Sequence, residues 1–494
     1  MENISSIIIN EKDNVAVALH EIKTGENHNG IIFLNDIPFG HKVAIKNIYK
    51  GENIIKYGFP IGYAKNDIKA GEHVHIHNLN TNLKDIIDYE YNPINNIENN
   101  KIDSDIFFDG YKREDGRVGT RNEVWIIPTV GCVNNTAKIL ENMASKKYGN
   151  RCDGIFAYTH NMGCSQTGND QIITQKLLSG IIKNPNAGGV LIVSLGCENN
   201  NLEVFKPFLK GIDENKIRFL ITQNVEDEYK EGIKYLDELT KYASSFKREK
   251  VSIKYLTIGF KCGGSDAFSG ITANVVCGKL NNIFIKNGGS SILTETPEMF
   301  GAETILMSRA ANKKVFDNIV NLINGYKNYF KKYGETIYEN PSPGNKKGGI
   351  SSLEEKSLGC VQKGGNSTIV DILDYGEYIS ENGLNILKGS GNDQVSCTNL
   401  TASGSNILLF TTGRGTPFGS IVPTIKISSN SNIYKKKNNW IDFNAGKVLE
   451  NIPIDNIVDE LFEVVINVAS GKMQTKNEKN GYKEISIFRD GIIL

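Results

Sequence analysis

Long apolar runs that end in glycine turns are the feature that most restricts how this chain can fold. Four of them lie in the middle of the chain, at VWIIPTVG (124–131), GIFAYTH (154–160), GGVLIVSLG (188–196) and IRFLITQ (217–223). Four more follow, at YLTIGF (255–260), SSILTE (290–295), STIVDIL (367–373) and NILLFTTG (406–413). Because buried strands that alternate with helical segments form parallel sheets covered by helices, we predict two α/β domains with largely parallel sheets.

The first eighty residues have a different pattern, which indicates a small all-β module. Short apolar or alternating runs lie at 15–19, 30–34, 42–48, 54–57 and 73–77, and turn glycines separate them at Gly40, Gly51, Gly58, Gly62 and Gly71. A segment rich in Asn, Asp and Glu follows at 85–105 and is expected to be a linker. The chain has 494 residues, too many for one core. We therefore expect a β module at 1–84, the linker at 85–105, and α/β domains at 106–250 and 251–494.

Charge and hydropathy exclude several classes of function. Lysine plus arginine number 56, as do aspartate plus glutamate, so the chain lacks the basic excess that binds nucleic acid or anionic membranes. No stretch approaches the ~20 apolar residues that cross a bilayer. The first residues carry acidic side chains where a signal peptide is basic, and the eight cysteines include no CxxC pair. We expect a cytoplasmic protein.

Histidines are concentrated in the β module, which holds six of the seven. In GEHVHIHN, His73, His75 and His77 alternate, so on a strand they would project from one face. Neutral imidazoles on one face can bind a first-row metal when a carboxylate completes the site. The alternative is a solvated strand face with hydrogen-bonded histidines.

Polar glycine turns follow several of the buried runs. They are Gly131-Cys132, residues 160–164, residues 196–199 and residues 261–264. Ligands bind at the carboxyl edge of open α/β sheets, where such turns lie. The alternatives are tight turns with packed cysteines, or cysteines that hold an iron–sulfur cluster.

Two arginine-bearing turns are candidates for binding a carboxylate. Arg117, Arg121 and Asn122 lie in DGRVGTRN before the first buried run, and Arg414 lies in TGRGTP after a late one. The planar guanidinium suits a carboxylate, although such arginines also form surface ion pairs. Neither turn fits a dinucleotide or phosphate-loop pattern.

Long motifs along the whole chain resemble the altronate and galactarate dehydratase family. GHKVAIKNI, IKYGFPIGYA and DIKAGEHVHIHN are similar to its N-terminal module, a small fold of the antifreeze-protein and sialate-synthase type. DGRVGTRNEVWIIPTVGCVN, THNMGCSQTGND and LGCENN resemble its central domain. CGGSDAFSGITAN, ETPEMFGAE, YENPSPGNKKGG, EKSLGCVQKGG, SGND, LFTTGRGTPFG and WIDFNAG resemble its C-terminal domain, with SGND carrying serine where the family has proline.

The resemblance implies a metal-dependent hydro-lyase that acts on a sugar acid. The motif HVHIHN and the length of the chain favour D-altronate over galactarate as the substrate. The expected product is 2-keto-3-deoxy-D-gluconate. The expected cofactor is a divalent metal, Fe²⁺ first and Mn²⁺ as the alternative. We place the metal on His75, His77 and Glu303. His41 and His160 are expected to do acid–base work, and Arg117, Arg121, Asn122 and Arg414 to bind the substrate.

Other functions stay open at this point. The reaction could involve galactarate or a sulfolactate, and an iron–sulfur hydro-lyase would use the cysteines. A protein of another class would bind carbohydrate without catalysis. We expect a homo-oligomer whose partner is a small sugar acid, with no nucleic acid or membrane partner.

Overall fold

A small β module forms the N-terminal part of the computed structural model, which describes residues 5–28, 30–94, 105–338 and 340–492. Its strands are short: β1 (Ser6–Ile7), β2 (Val15–Ala18), β3 (Asn27–His28), β4 (Ile31–Ile32), β5 (Lys42–Ala44), β6 (Asn53–Lys56), β7 (Phe59–Ala64), β8 (His73–Val74) and β9 (Leu79–Asn80). They form antiparallel sheets in the orders β1-β2-β5-β8 and β6-β7-β9, with β3-β4 as a hairpin. Gly71 has a φ of 87°, and a Cβ there would lie 2.0 Å from the Ile32 carbonyl oxygen, so only glycine fits this turn.

The strand predicted over residues 73–77 is wrong beyond its second residue. β8 ends at Val74, and the Asn78 amide donates to the His75 carbonyl at 3.0 Å to close a turn. The Asn78 side chain holds this turn, since it donates to the His73 carbonyl at 2.9 Å and accepts from the His75 amide at 2.9 Å. The three histidines therefore do not project from one face of a strand.

The first part of the expected linker, residues 85–94, packs on the C-terminal domain. The Asn324 side chain donates to the Ile87 carbonyl at 3.1 Å, and the Tyr91 and Phe316 rings lie 5.1 Å apart between centroids. The Ile94 amide donates to Ser308 at 2.9 Å. Aromatic side chains give this polar segment enough apolar surface to dock. Residues 95–104 of the expected linker lie outside the described residues.

The central domain contains two sheets. β10 (Phe107–Lys112) pairs antiparallel with β11 (Val118–Gly119) and with β16 (Arg248–Ser252), so the expected domain boundary near residue 250 falls inside a strand. The second sheet is parallel, in the order β13-β12-β14-β15. Its strands are β12 (Glu123–Pro128), β13 (Ile155–Ala157), β14 (Ala187–Ser194) and β15 (Ile217–Ile221). All four runs predicted for this domain are strands.

Helices cover both faces of the central sheet. They are α1 (Asn134–Tyr148), α2 (Gly168–Lys183), α3 (Leu202–Phe205) and α4 (Glu228–Ser245). α4 begins where the Asp227 side chain accepts from the amides of Tyr229 and Lys230. Its buried residues Leu236 and Leu239 join one core cluster with α1 and the sheet.

The C-terminal domain is built on a seven-stranded parallel sheet in the order β19-β20-β18-β17-β21-β22-β23. Its strands are β17 (Thr257–Cys262), β18 (Ser290–Leu293), β19 (Ile369–Leu373), β20 (Leu384–Leu387), β21 (Ile407–Thr412), β22 (Thr424–Ser428) and β23 (Phe443–Asn444). The chain leaves β17 toward β18 and later returns on its other side as β21. The order therefore reverses at β17, and a crevice is expected at its carboxyl end.

Helices also cover this sheet on both faces. They are α5 (Ala273–Lys286), α6 (Glu303–Met307), α7 (Lys313–Lys332), α8 (Pro343–Lys347), α9 (Leu353–Cys360), α10 (Asp393–Ala402), α11 (Ser431–Lys436), α12 (Ile454–Ala469) and α13 (Lys476–Lys479). α5, α7 and α12 contribute to one core cluster and α10 to the other. The architecture is thus multidomain α/β with an N-terminal all-β module, as the sequence predicts.

Buried asparagines join the central and C-terminal domains. Asn186 donates to the Asn406 carbonyl at 3.0 Å, and Asn406 donates to the Val118 carbonyl at 3.0 Å. Asn184 donates to the carbonyls of Thr401 and Ser405, each at 3.0 Å. Because buried amides need partners, these bonds hold the two domains in one arrangement. Within the described ranges, no helix is long and apolar enough to span a bilayer.

Candidate active site

A cavity of about 560 Å³ lies at the carboxyl edge of the seven-stranded sheet, where β17 ends. Its wall includes Cys262 at the end of β17, Glu298, Lys356 on α9, and Asp393 at the start of α10. Asn345 of α8 closes another side. The strand order reverses at β17, so the cavity occupies the place where open α/β sheets bind ligands. We call it the edge cavity.

A buried network of ion pairs forms the floor beside the edge cavity. The Lys261 ammonium contacts the Glu295 carboxylate and lies 3.0 Å from Asp393 Oδ1. Lys363 Nζ lies 3.0 Å from the other oxygen of Glu295. The side chains of Lys261, Glu295 and Lys363 are at most 1% exposed. Desolvating such charges costs more than their attraction commonly returns, so a buried network next to a cavity indicates a functional site.

Backbone strain marks the same place. Glu295 follows β18 and has a φ of 75°, in the left-handed region that residues with a Cβ rarely occupy. Its carboxylate accepts from the Cys262 amide at 3.0 Å in addition to its lysine partners. Strain of this kind costs roughly 1–3 kcal/mol and persists at sites where the surroundings hold it in place.

A second ion pair faces the edge cavity directly. Lys356 Nζ lies 2.8 Å from Glu298 Oε1, and the Cys360 thiol donates to Glu298 Oε2 at 2.9 Å. Burial alone would raise the pKa of Glu298, but Lys356, Lys261 and Lys363 together lower it to about 2. Lys356 also donates to Asn345 at 3.2 Å, and its pKa is raised because the Glu298 charge outweighs its burial. The cavity wall therefore holds a charged lysine whose ammonium is paired with an ionised carboxylate.

Imidazoles of the β module meet the C-terminal domain near this cavity. His41 Nδ1 lies 3.0 Å from His73 Nε2, and the His41 and His75 ring centroids are 4.8 Å apart. His41 Nε2 donates to the Lys347 carbonyl over 3.3 Å, and His75 Nδ1 lies 2.8 Å from Ser351 Oγ. We call His41, His73 and His75 the imidazole cluster. His77, expected as a ligand, is exposed, with its ring centroid 5.3 Å from that of His73.

The chemistry of the imidazole cluster suits a divalent metal, although its geometry is incomplete. Burial lowers the pKa of His73 and of His75 to about 3, which keeps these rings in the neutral form that binds metals. The His41 and His73 rings share a hydrogen bond of 3.0 Å between Nδ1 and Nε2, and both would be candidates to hold a divalent metal. The described residues contain no group of three or more His, Cys, Asp or Glu placed to hold a metal.

Buried charges dock the β module beside the imidazole cluster. Glu355 of α9 accepts from Lys42 Nζ at 2.8 Å and from Lys56 Nζ at 2.8 Å, and these side chains are at most 1% exposed. Lys42 also donates to the Gly349 carbonyl at 2.7 Å. Glu355 precedes Lys356 of the edge cavity. One segment thus contacts both the imidazole cluster and the cavity.

Short connections link the imidazole cluster with the edge cavity. Asn345 lines the cavity, and the carbonyl of Lys347, two residues further on, accepts from His41. Asn345 is held by its own donation to the Ser265 carbonyl at 2.7 Å. α8 begins with a capping box in which the Ser342 and Asn345 side chains satisfy each other's backbone amides. This helix therefore forms a wall between the two groups.

The arginine turn before β12 does not approach either group. Arg121 pairs with Glu478 and donates to the carbonyls of Thr120 and Val468, while Arg117 pairs with Asp115. Asn122 donates to the Ala243 carbonyl at 2.8 Å. A turn that precedes a parallel strand lies at the amino edge of the sheet, opposite the edge where ligands bind. Interdomain contacts occupy Arg121, and contacts within the central domain occupy Asn122.

Arg414 lies beside the edge cavity, whereas Glu303 and His160 lie elsewhere. A Cβ on Gly264, which lines the cavity, would be 3.4 Å from Arg414 Cβ, and Arg414 is exposed. Glu303 accepts from Tyr89 Oη at 2.6 Å and lies 3.3 Å from Lys327 Nζ, so its contacts are with these groups rather than with the histidines.

His160 has both ring nitrogens engaged. Nε2 donates to the Pro128 carbonyl at 2.7 Å and Nδ1 accepts from the Met162 amide at 3.1 Å. Burial lowers its pKa to about 4. These contacts hold the loop after β13 and leave no nitrogen for proton transfer.

The four polar turns predicted to form one site divide between two sheets. The turns with Cys132, Cys164 and Cys197 follow β12, β13 and β14 of the central domain, where all three cysteines are exposed. Residues 261–264 belong to the C-terminal sheet. The sequence shows that each turn follows a strand but not which strands share a sheet.

Sequence reasoning placed Lys261 in a polar turn at a strand end but gave no role to the other charged residues in and beside the edge cavity. Lys261, Glu295, Glu298, Lys356 and Lys363 occur in segments that also contain ordinary glycine turns. The sequence did contain a signal, because Glu295, Glu298, Lys356 and Lys363 lie inside ETPEMFGAE and EKSLGCVQKGG. Both motifs resemble the C-terminal domain of the dehydratase family. Charged residues inside a long apolar or glycine-rich motif are candidates for binding or catalysis.

Comparisons with known proteins match the whole chain. Family models match residues 4–82 (altronate/galactarate dehydratase SAF domain), 110–244 (D-galactarate dehydratase/altronate hydrolase, second domain) and 253–493 (D-galactarate/altronate dehydratase, C-terminal). An altronate dehydratase of Bacillus subtilis is 48% identical over 99% of this chain and 100% of its own length. An altronate dehydratase of Escherichia coli is 45% identical over 99% of each chain. A galactarate dehydratase (L-threo-forming) of Escherichia coli is 31% identical over 98% of this chain and 96% of its own.

Proposed function

Because this chain belongs to the altronate and galactarate dehydratase family, we propose that it is a hydro-lyase that converts D-altronate to 2-keto-3-deoxy-D-gluconate. The observation that carries the choice of substrate is the high identity to two altronate dehydratases along both full lengths. Identity to the galactarate dehydratase is lower over a similar span. One lysine, Lys356, lines the edge cavity together with Glu298 and Asp393.

The reaction removes the C2 proton and the C3 hydroxyl of a 2,3-dihydroxy acid. The resulting enol then tautomerises to the 2-keto-3-deoxy acid. The C2 proton is weakly acidic, because its loss places a second negative charge beside the carboxylate. A site for this chemistry needs positive charge at the carboxylate, a base at C2 and a proton donor at the C3 hydroxyl.

Lys356 is our candidate for holding the substrate carboxylate. Its raised pKa keeps it charged, and Glu298, Asn340 and Asn345 hold its ammonium in place at 2.8, 2.9 and 3.2 Å. A pre-oriented cation stabilises charge that develops in the transition state without reorganising. Arg414, exposed beside the cavity, is placed to bind substrate oxygens at its rim.

Asp393 is our candidate for the base. Its side chain is 34% exposed and lines the edge cavity, whereas Glu295 and Glu298 are almost fully buried with lysine partners. Asp393 begins α10, and Lys261 lies 3.0 Å from one of its oxygens. The other oxygen remains available to accept a proton.

The imidazole cluster is our candidate for holding Fe²⁺, with Mn²⁺ as the alternative. His41, His73 and His75 replace the predicted set of His75, His77 and Glu303, because the first three rings converge while Glu303 contacts Lys327. A bound divalent ion would supply Lewis acidity toward the substrate carboxylate or hydroxyl. The residues of the chain itself orient the substrate and move its protons.

The proposal extends to the setting of the enzyme. We propose a cytoplasmic homo-oligomer that acts on a small sugar acid without nucleic acid or membrane partners. Equal numbers of acidic and basic side chains argue against nucleic acid or anionic membrane partners. Light scattering during size-exclusion chromatography would measure the number of chains per particle.

A substrate assay with metal analysis tests the proposal. Chain purified without oxygen and loaded with Fe²⁺ or Mn²⁺ is given D-altronate, galactarate or sulfolactate at equal concentration, and keto-acid or sulfite release is measured. We expect keto-acid from altronate with the highest kcat/KM. Faster turnover of galactarate or sulfolactate would transfer the proposal to that substrate. Failure with all three would favour carbohydrate binding without catalysis.

The Lys356→Met variant tests whether the reaction takes place in the edge cavity. It removes the charge and keeps the length of the side chain. Turnover equal to that of the unaltered chain would contradict the placement of the reaction in the edge cavity, even if the substrate were correct.

A further inference from the structure

A second cavity, of about 700 Å³, lies between the central and C-terminal domains. Its walls come from α2 of the central domain, from α7 and the end of β19 of the C-terminal domain, and from Phe488 and Asp490 near the end of the chain. None of the described residues that line it also lines the edge cavity. We call it the interdomain cavity. Its volume and its place between domains are typical of sites that bind small molecules.

The end of the chain holds one wall of the interdomain cavity in place. The Phe488 ring stacks on the Tyr375 ring, with 4.7 Å between centroids. The amides of Asp490 and Gly491 donate to the Asp170 carboxylate at 2.9 and 2.7 Å. Asp170 belongs to α2 and is buried. These contacts fasten the C-terminal segment to the central domain, so this wall is formed before any ligand enters.

One face of α7 supplies side-chain amides to the cavity. Asn318, Asn321 and Asn328 line it, with Gly325 between them, at the spacing of a single helix face. Within the described residues, none of these three amides has a hydrogen-bond partner. Asparagine and glycine are poor helix formers, and a Cβ on Gly325 would meet no atom within 4 Å. Packing therefore does not require these residues, and the face keeps free donors and acceptors.

Charge in the interdomain cavity disfavours an anionic ligand. Three carboxylates and two ammonium groups line it, those of Asp374, Glu377, Asp490, Lys332 and Lys388. Lys332 Nζ lies 3.0 Å from Asp490 Oδ2, and Lys388 Nζ lies 3.1 Å from Asp374 Oδ1. Both lysines are thus already paired, and an anion would meet an excess of negative charge. We therefore expect an uncharged ligand, unlike the sugar acid proposed for the edge cavity.

Aromatic rings supply the apolar part of the lining. Tyr326, Tyr329, Tyr375 and Phe488 line the cavity, and the Tyr329 and Phe488 rings lie 6.2 Å apart between centroids. Tyr329 and Phe488 are half-buried. Such rings offer a large and rigid apolar surface beside the amides and carboxylates.

We propose that the interdomain cavity binds an uncharged sugar in its pyranose form. One face of such a ring carries C–H groups that pack on an aromatic side chain, and its hydroxyls both donate and accept hydrogen bonds. Asparagine amides match these hydroxyls because they too donate and accept, and the carboxylates of Asp374 and Glu377 add acceptors. This binding does not rest on the proposed dehydration.

Saturation-transfer-difference NMR on the full-length chain tests the proposal. D-glucose, D-galactose and D-mannose serve as uncharged probes. Each is compared with its uronate, which keeps the ring and adds one carboxylate. We expect ring-proton signals from at least one neutral sugar and weaker signals from the uronate of that sugar. Absence of signals from all three sugars, or equal binding of the uronate, would overturn the proposal.

Variants of α7 locate the binding. Gly325→Phe places a ring where the helix leaves open space, so it should abolish binding without lowering the melting temperature. Gly149→Phe is the matched control, since a Cβ there also meets no atom within 4 Å, and it should bind the sugar as the unaltered chain does. Asn321→Ala removes one amide and suits the helix better, so the dissociation constant should rise by about two- to tenfold while the melting temperature does not fall.

The edge cavity is tested as the alternative location. Lys356→Met should bind the sugar unchanged, because Lys356 lines the edge cavity and not the interdomain cavity. Binding that is unchanged in Gly325→Phe would place the sugar elsewhere and overturn the proposal. Should that variant fail to fold, unchanged binding in Asn321→Ala decides in the same way. These outcomes hold whether or not altronate is a substrate.

Discussion

Replacing Glu355 with Gln should detach the β module from the C-terminal domain. The substitution preserves the shape of the side chain and removes the charge that Lys42 and Lys56 share. Two ammonium groups would then remain buried without a counter-ion. Breaking a buried ion pair in this way costs about 3–5 kcal/mol.

The pKa shift of Glu355 gives a similar free energy for its interaction with the two lysines. Lys42 and Lys56 overcome the effect of burial and lower its pKa from 4.5 to about 2. A shift of that size corresponds to on the order of 3 kcal/mol. Because the folded-state pKa is depressed, this stability is present above pH 4.5 and is lost as the pH falls toward 2. The charge contribution should therefore vanish in strong acid.

Hydrogen exchange measured by mass spectrometry would detect the change locally. Peptides that cover β5 and β6 carry Lys42 and Lys56, and their amides exchange when the module opens. Each 1.4 kcal/mol changes an equilibrium constant tenfold. Loss of about 3–5 kcal/mol should therefore accelerate exchange by between about a hundredfold and a few thousandfold. Peptides from the central sheet should be unchanged.

An exposed ion pair of the same module provides the matched control. Glu21 contacts Lys23, and both side chains are more than half exposed. Glu21→Gln should leave exchange in β5 and β6 unaltered. Exchange in Glu355→Gln within twofold of the unaltered chain at pH 7 would refute the view that this charge docks the module.

Three further outcomes are expected. His73→Ala should lower bound iron and activity together, whereas exposed His77→Ala should retain both, as metal analysis and keto-acid assays would show. Lys356→Met should lower kcat/KM by about two to three powers of ten, as loss of one charge-stabilising group does, and should also lower the melting temperature because Glu298 loses a buried partner; an unchanged kcat/KM would contradict the role of this lysine. His160→Asn should melt at lower temperature at pH 7.5. Because the pKa of His160 falls to about 4 on folding, the unaltered chain loses stability as the pH falls from 6.5 toward 4, so the deficit of the variant should shrink at pH 5; a constant deficit would contradict this assignment.

The α/β architecture followed from the sequence because buried parallel strands are long apolar runs. All eight predicted runs became strands, β12 to β15, β17 to β19 and β21. β20, β22 and β23 were not predicted; β23 has only two residues, and Lys426 interrupts the apolar run of β22. Lys426 is buried and donates to the Thr416 carbonyl at 2.8 Å, a partner that only the folded chain provides.

The candidate site could be predicted only in part. Two histidines of the β module lie at its junction with the C-terminal domain, since His41 and His75 contact Lys347 and Ser351. The strand predicted from the alternation of residues 73–77 ends at Val74, because the Asn78 side chain stabilises a turn after it. Long-range charge pairing, such as that of Lys261 with Glu295, leaves no local pattern and could not be found from periodicity.

The position of α8 between the imidazole cluster and the edge cavity has a consequence for how the enzyme matures. The cluster precedes the cavity wall in the chain, because residues between 262 and 394 form that wall. A nascent chain that exposes only its histidines could acquire iron but would have no place for a sugar acid. The chain could therefore dehydrate a substrate only after its C-terminal half has been synthesised and has folded against the β module.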